Sequence, residues 1–235
     1  MSFHLLEAHW GSRPESLDEC AARLVVLSDK LARLHKRLAT WKPKSRANGA
    51  ETGTLISMEL AHKYLRPTKD NSAIPDSKLE RMGFTFDLWD GKGISFSGLL
   101  GANEVTDSRS NQVRIKLPSP QSLEGAELYA PDMARSLIRA LAESLDPDWA
   151  VLTTALIQQA QPNADFLPQV GWFTYLKSGP HRATAAPGNV LPVPNTDFPQ
   201  GRLFSTGDSY ESATVVAVQE FREMLVSAGL LTPMR

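Results

Sequence analysis

From Leu17 to Trp41 the apolar positions advance in alternating steps of three and four: Leu17, Cys20, Leu24, Leu27, Leu31, Leu34, Leu38 and Trp41. That spacing lays one apolar stripe along an α-helix. Ser16 precedes the stripe and Glu19 follows it by three residues, the arrangement of a capping box, in which the Ser oxygen takes a free backbone N–H and the Glu reaches back. Pro14 lies before the cap and Pro43 closes the pattern, since neither suits a helix interior. The pattern predicts a helix on the order of 37 Å long.

The remaining patterns are shorter. Residues 2–9 read as a strand, and 54–65 as a second helix ended by Pro67. Phe84, Phe86 and Leu88 alternate with polar residues, then a glycine-containing turn leads to Ile94 and Phe96, which predicts a β-hairpin. Val113, Ile115 and Leu117 alternate with polar and charged residues as a third strand, ended by Pro118 and Pro120. Residues 131–145 form a helical pattern with Met133, Leu137, Ala140, Leu141 and Leu145 on the inner face. Residues 149–157 and 170–176 read as two more strands. A helix over about 209–227, with Gly229 as its C-cap, ends the chain. Seven prolines between residues 162 and 199 predict a stiff, proline-rich loop region at about 160–201, with Trp172, Phe173, Tyr175 and Phe198 among them. Strands gather in the middle and do not alternate strictly with helices. The expectation is therefore an α+β fold: a mainly antiparallel sheet packed by a long N-terminal helix, a middle helix and a C-terminal helix, in a single domain over residues 1–235.

Composition narrows the function classes. The chain has 235 residues, 42% hydrophobic and 22% charged, as an ordinary globular protein has. Its one Cys excludes an internal disulfide framework and a Cys-based zinc site. No signal-peptide pattern and no run of about 18 apolar residues is present, so a cytoplasmic protein without a membrane span is expected. A net charge of −1 argues against a dedicated nucleic-acid binder. The charge is uneven, however. Residues 30–46 hold seven Lys or Arg and no acid, whereas residues 119–165 hold seven acids against two Arg. Both read first as solvated helix faces, and both are able to steer a charged partner.

The segment HWGSRPESLDEC, residues 9–20, gathers a His, two Ser, two Glu, an Asp and the Cys. A nucleophile site would need different surroundings. Cys20 falls on the apolar stripe, where a thiol behaves as a small hydrophobe. Ser12 lacks the Gly-x-Ser-x-Gly turn of a nucleophile elbow. Ser16 is engaged as a cap. The five histidines, His4, His9, His35, His62 and His181, show no metal-ligand spacing. WDGKG, residues 89–93, lacks phosphate-loop spacing and precedes a strand, so it reads as a hairpin turn. No catalytic residue, metal or cofactor is expected. A regulator gripping nucleic acid through residues 30–46 is the second reading, and a small hydrolase the third.

Three stretches resemble a known family. The first carries Trp10, Gly11, Arg13, Ser16, Leu17, Glu19, Cys20 and Ala21. The second is VGWFTYL, with Gly171, Trp172 and Tyr175. The third is the C-terminal pair GRLFSTG and LVSAGLL. Together they resemble the immunity protein 52 family of bacterial polymorphic toxin systems; residues 50–130 add no match. The resemblance implies a small cytoplasmic α+β protein without enzymatic activity that neutralises a cognate toxin. In such systems the toxin is typically a restriction-endonuclease-fold nuclease, often delivered by type VI secretion. A nuclease has a basic face, so Glu143, Asp146 and Asp148 in the acidic segment are candidate toxin contacts. Trp172 and Phe198 are alternative anchors. The signature residues themselves read as structural, and Arg13 has two open roles: bracing the turn or facing the toxin.

Overall fold

The computed structural model describes residues 4–44, 53–68, 82–103, 110–161, 167–179, 198 and 200–231. In chain order the elements are β1 (His4–Trp10), α1 (Leu17–Leu34), β2 (Lys42–Pro43), α2 (Met58–Tyr64), β3 (Arg66–Pro67), β4 (Phe84–Trp89), β5 (Ser95–Leu100), β6 (Asn111–Leu117), α3 (Leu123–Leu128), α4 (Pro131–Leu145), β7 (Trp149–Thr154), α5 (Ala155–Gln159), β8 (Phe173–Lys177), β9 (Gly201–Ser205) and α6 (Val215–Ser227). The expected α+β class and antiparallel pairing are both present. The chain divides into two compact units, one from His9–Lys116 and one from Met1–Ala8 with Leu117–Arg235.

In the unit His9–Lys116, β4, β5 and β6 form an antiparallel meander, with Phe86 opposite Gly98 and Gly98 opposite Val113. Alternation decides what is buried: Phe84, Phe86 and Leu88 point inward, as do Val113, Ile115 and Leu117. Phe96 packs its ring 4.9 Å from Phe86 and 5.0 Å from Trp41. The hairpin turn expected at residues 89–93 is present at 90–93, since Trp89 still belongs to β4, with Gly91 at φ 84 and Gly93 at φ 115, angles that favour glycine.

The long N-terminal helix is shorter than its stripe. α1 has 18 residues, about 27 Å. It stops because His35 takes an extended conformation, φ −153 and ψ 135, and its Nδ1 accepts the Arg37 N–H at 3.2 Å. That local acceptor opens a separate 3-10 turn, Lys36–Leu38. The apolar spacing survives the break, because Leu38 and Trp41 are still buried. Trp41 then pairs with Thr54 in an isolated bridge, so the second helix starts at Met58 and not at 54; Ser57 caps it.

In the other unit the strand order is β1-β7-β8-β9, and α4 packs against β7 and β8. α4 occupies the predicted span, residues 131–145. The predicted strand 149–157 divides in two. Thr154 Oγ1 accepts the Ile157 N–H at 3.1 Å, a cap that turns residues 155–159 into α5. The C-terminal helix begins at Val215, where Thr214 caps the Ala217 N–H, and Tyr210–Ser212 form a 3-10 turn of their own. Its end is as expected: Gly229 at φ 67 and Leu230 bond back to Val226 and Leu225. α3 had no signal beyond its Ser122 cap. Most of the proline-rich region, residues 162–166 and 180–197, lies outside the described residues.

Candidate binding surfaces

The turn that looked reactive is a built folding joint. Ser16 Oγ accepts the Glu19 N–H at 3.3 Å, and Glu19 Oε2 accepts the Ser16 N–H at 2.8 Å, which completes the capping box. Donation to that carboxylate by the Ser16 N–H, and by Ser16 Oγ at 2.9 Å, holds it below its usual pKa. Ahead of the cap, the buried Asn111 side chain spans two backbones. Its Nδ2 donates to Gly11 O at 2.7 Å and Ala102 O at 2.9 Å, and its Oδ1 accepts the Ala102 N–H at 2.8 Å. The Arg13 guanidinium lies 4.8 Å from the Trp10 ring centre, and its Nε is 3.4 Å from Glu15 Oε1. The same Glu15 oxygen accepts Arg23 Nε at 2.5 Å. Arg13 is thus held within the turn by Trp10 and Glu15. Ser12 Oγ donates to the Asn103 carbonyl. Cys20 is fully buried, and burial pushes its thiol up to about 12. A thiol so hard to ionise is a poor nucleophile.

The other signature residues also pack. A Cβ on Gly171 would run into the Leu152 carbonyl, and the Gly171 N–H donates to Thr174 Oγ1 at 3.1 Å. Tyr175 is buried with its ring 5.7 Å from Phe198. Trp172 is 0% exposed, donates from Nε1 to Gly207 O at 3.1 Å, and meets Tyr210 edge-on at 5.6 Å. The Tyr210 ring lies 4.5 Å from Tyr129, tilted by 58°, and its hydroxyl meets His4 Nδ1. Burial raises both phenols and lowers the His4 imidazole. Phe198 is 5% exposed. The alternative anchors, Trp172 and Phe198, therefore stand in the core, where neither offers surface to a partner.

The acidic candidates lie together at the end of α4. Glu143 is exposed on the last turn; Asp146 and Asp148 are half-buried just beyond it. Asp146 takes the left-handed conformation, φ 48, as the C-cap. Its Oδ2 accepts Lys177 Nζ at 2.6 Å, while the Lys177 N–H donates to Asp148 O at 2.9 Å. Lys177 offsets part of the acidic charge, and Glu143 is the most solvent-facing of the three.

The basic run 30–46 does not form one continuous strip. Arg37 is spent on Asp90, Lys42 lies 5.2 Å from the Trp89 ring centre, and residues 45–46 fall outside the described residues. Lys44 instead joins Lys63 and Arg66 around a groove of about 240 Å³ over Tyr64 and Phe86. Sequence reasoning missed this groove, because its cations come from three separate elements. Among the described residues no helix is long and apolar enough to cross a membrane, and no group of three or more His, Cys, Asp and Glu could hold a metal.

Two comparisons complete the description. The family model described as Immunity protein 52 matches residues 4–234. Among curated proteins, none matches the chain.

Proposed function

The chain belongs to the Immunity protein 52 family, and from that membership we propose that it binds a cognate secreted toxin in the cytoplasm and neutralises it by occupying the toxin's surface, without catalysis of its own. The match over residues 4–234 carries this reading. We propose further that the toxin is a nuclease of the restriction-endonuclease fold, delivered by a type VI secretion system. Such an enzyme presents a basic face to nucleic acid, and complementary charge speeds association and selects the partner. The acidic end of α4, with Glu143 outermost and Asp146 and Asp148 beside it, supplies that charge in this chain.

The folded state favours this reading over a nucleophile site within residues 9–20. Ser16 is a cap, the Cys is buried and hard to ionise, and Arg13 is engaged with Trp10 and Glu15. The nucleic-acid alternative is weakened by the loss of Arg37 to Asp90. Co-expression with the toxin encoded beside its gene tests the proposal: cells survive and the two proteins co-purify. Cell death despite soluble expression of both proteins overturns it.

A further inference from the structure

Among the described residues, two short strands line one edge of β4, and between them the Lys44 N–H donates to Asp87 O at 3.0 Å. β2 pairs with Leu88 and Trp89, β3 with Phe84 and Thr85, and β5 takes the whole of the opposite edge. The groove of about 240 Å³ includes Lys44, Lys63, Arg66, Tyr64, Phe86 and Asp87 in its lining. We propose that this groove is a second contact with the neutralised toxin and receives a carboxylate-bearing segment of it; the inference rests on the toxin-binding reading above.

Charge is the first argument. Three cations face one acid, and that acid, Asp87, stands 4.0 Å from Lys44 with both side chains more than half exposed. Such a pair is weak. Lys63 and Arg66 are exposed and make no ion pair with any other described residue. The floor is the second argument. Tyr64 is 9% and Phe86 4% exposed, so they form an apolar base beneath the cations. A low-dielectric base strengthens the attraction of a carboxylate held above it. Buried rings are poor platforms for stacking nucleotide bases, which favours a peptide over a nucleic acid. Size is the third argument: the groove is smaller than the ~300–1,000 Å³ of pockets that enclose a drug-sized ligand. Pro43 borders it from β2, and a proline edge resists an added strand. The occupant is therefore held by side-chain charge, with Arg66 able to grip a carboxylate with two parallel hydrogen bonds.

The test uses the full chain, a fluorescein-labelled octaglutamate peptide and an oligothymidylate of similar charge, read by fluorescence anisotropy at low salt. The peptide binds saturably, Lys63→Glu with Arg66→Glu weakens it about tenfold or more, Lys63→Gln with Arg66→Gln weakens it less, and the oligonucleotide binds more weakly than the peptide. Absence of peptide binding, equal affinity in both double variants and the parent chain, or tighter binding of the oligonucleotide each overturns the proposal. Because no toxin is present, loss of the peptide effect counts against the groove alone. Failed rescue of toxin-expressing cells counts against the neutralisation reading on which the groove's partner depends.

Discussion

Arg37 Nη2 and Asp90 Oδ2 stand 2.5 Å apart, with side chains only 9% and 3% exposed. The Arg lies in the 3-10 turn after α1, and the Asp opens the β4–β5 turn. Asp90 Oδ1 also accepts the N–H groups of Lys92 at 2.7 Å and Ile94 at 2.9 Å. One carboxylate thus shapes the hairpin and ties it to the segment after α1. Asp90→Ala leaves a guanidinium without its partner and a turn without its acceptor, and costs about 3–5 kcal/mol. Arg37→Met keeps the turn bonds and costs less. Urea unfolding of the two variants gives the order; equal losses contradict the dual role of Asp90.

Cys20 is predicted to be inert. It is 0% exposed with its thiol pushed up to about 12, so Ellman's reagent at neutral pH modifies it only after denaturant is added. Gly101 seals the same place: its φ is 72, and a Cβ there would lie 2.8 Å from Cys20 Sγ and from Glu15 O. Gly101→Ala combines left-handed strain of about 1–2 kcal/mol with overpacking of about 1–3 kcal/mol. Thermal melts read that loss. Rapid labelling of the native parent chain would show that the site opens.

His4 sets a pH dependence. Its pKa is lowered below 6.5 by burial, against Tyr210 and Tyr129. The folded chain then binds fewer protons than the unfolded chain, so the contribution is complete above 6.5 and is lost as pH falls through the lowered folded value. His4→Gln removes that slope. Urea midpoints at about pH 7.5 and about pH 5.5 are therefore expected to differ more in the parent chain than in the variant. Equal slopes rule out His4 as the cause.

The acidic contact is tested without disturbing the cap. Asp146 holds a left-handed conformation and Lys177, so its reversal mixes stability with binding. Glu143→Lys with Asp148→Lys leaves that pair in place. The double variant should bind the toxin about tenfold more weakly and show a flatter dependence of affinity on salt. Unchanged affinity and salt slope would remove this end of α4 from the interface.

Trp172→Ala should act on folding. Removing a fully buried indole costs about 3–5 kcal/mol, while any chain that remains folded keeps its affinity for the toxin. A loss of affinity at unchanged stability would restore the anchor role.

Regular elements with their own punctuation were legible: α4 begins at Pro131, the β4–β5 hairpin has glycines at its turn, and Gly229 ends α6. α1 was overestimated because a 3-10 turn also keeps residues three apart on one side, so the stripe continued through Leu38 after the helix had ended. Thr154 misled in the opposite sense, since a β-branched residue that suits a strand also caps a helix. The acidic candidates were contiguous in sequence and could be named from it. The groove was not, because Lys44 follows β2, Lys63 lies in α2 and Arg66 in β3, and they meet only at the edge of β4.

Neutralisation by binding makes a stoichiometric claim, and a titration tests it most directly. Purified toxin is held well above the dissociation constant, and its activity, nucleic-acid cleavage under the proposal above, is followed as the full chain is added. The account predicts a linear fall to zero with a sharp break at a fixed molar ratio, and no recovery on further incubation. Full toxin activity at several-fold molar excess of the chain, or a progressive loss of toxin driven by a trace of it, would contradict the account.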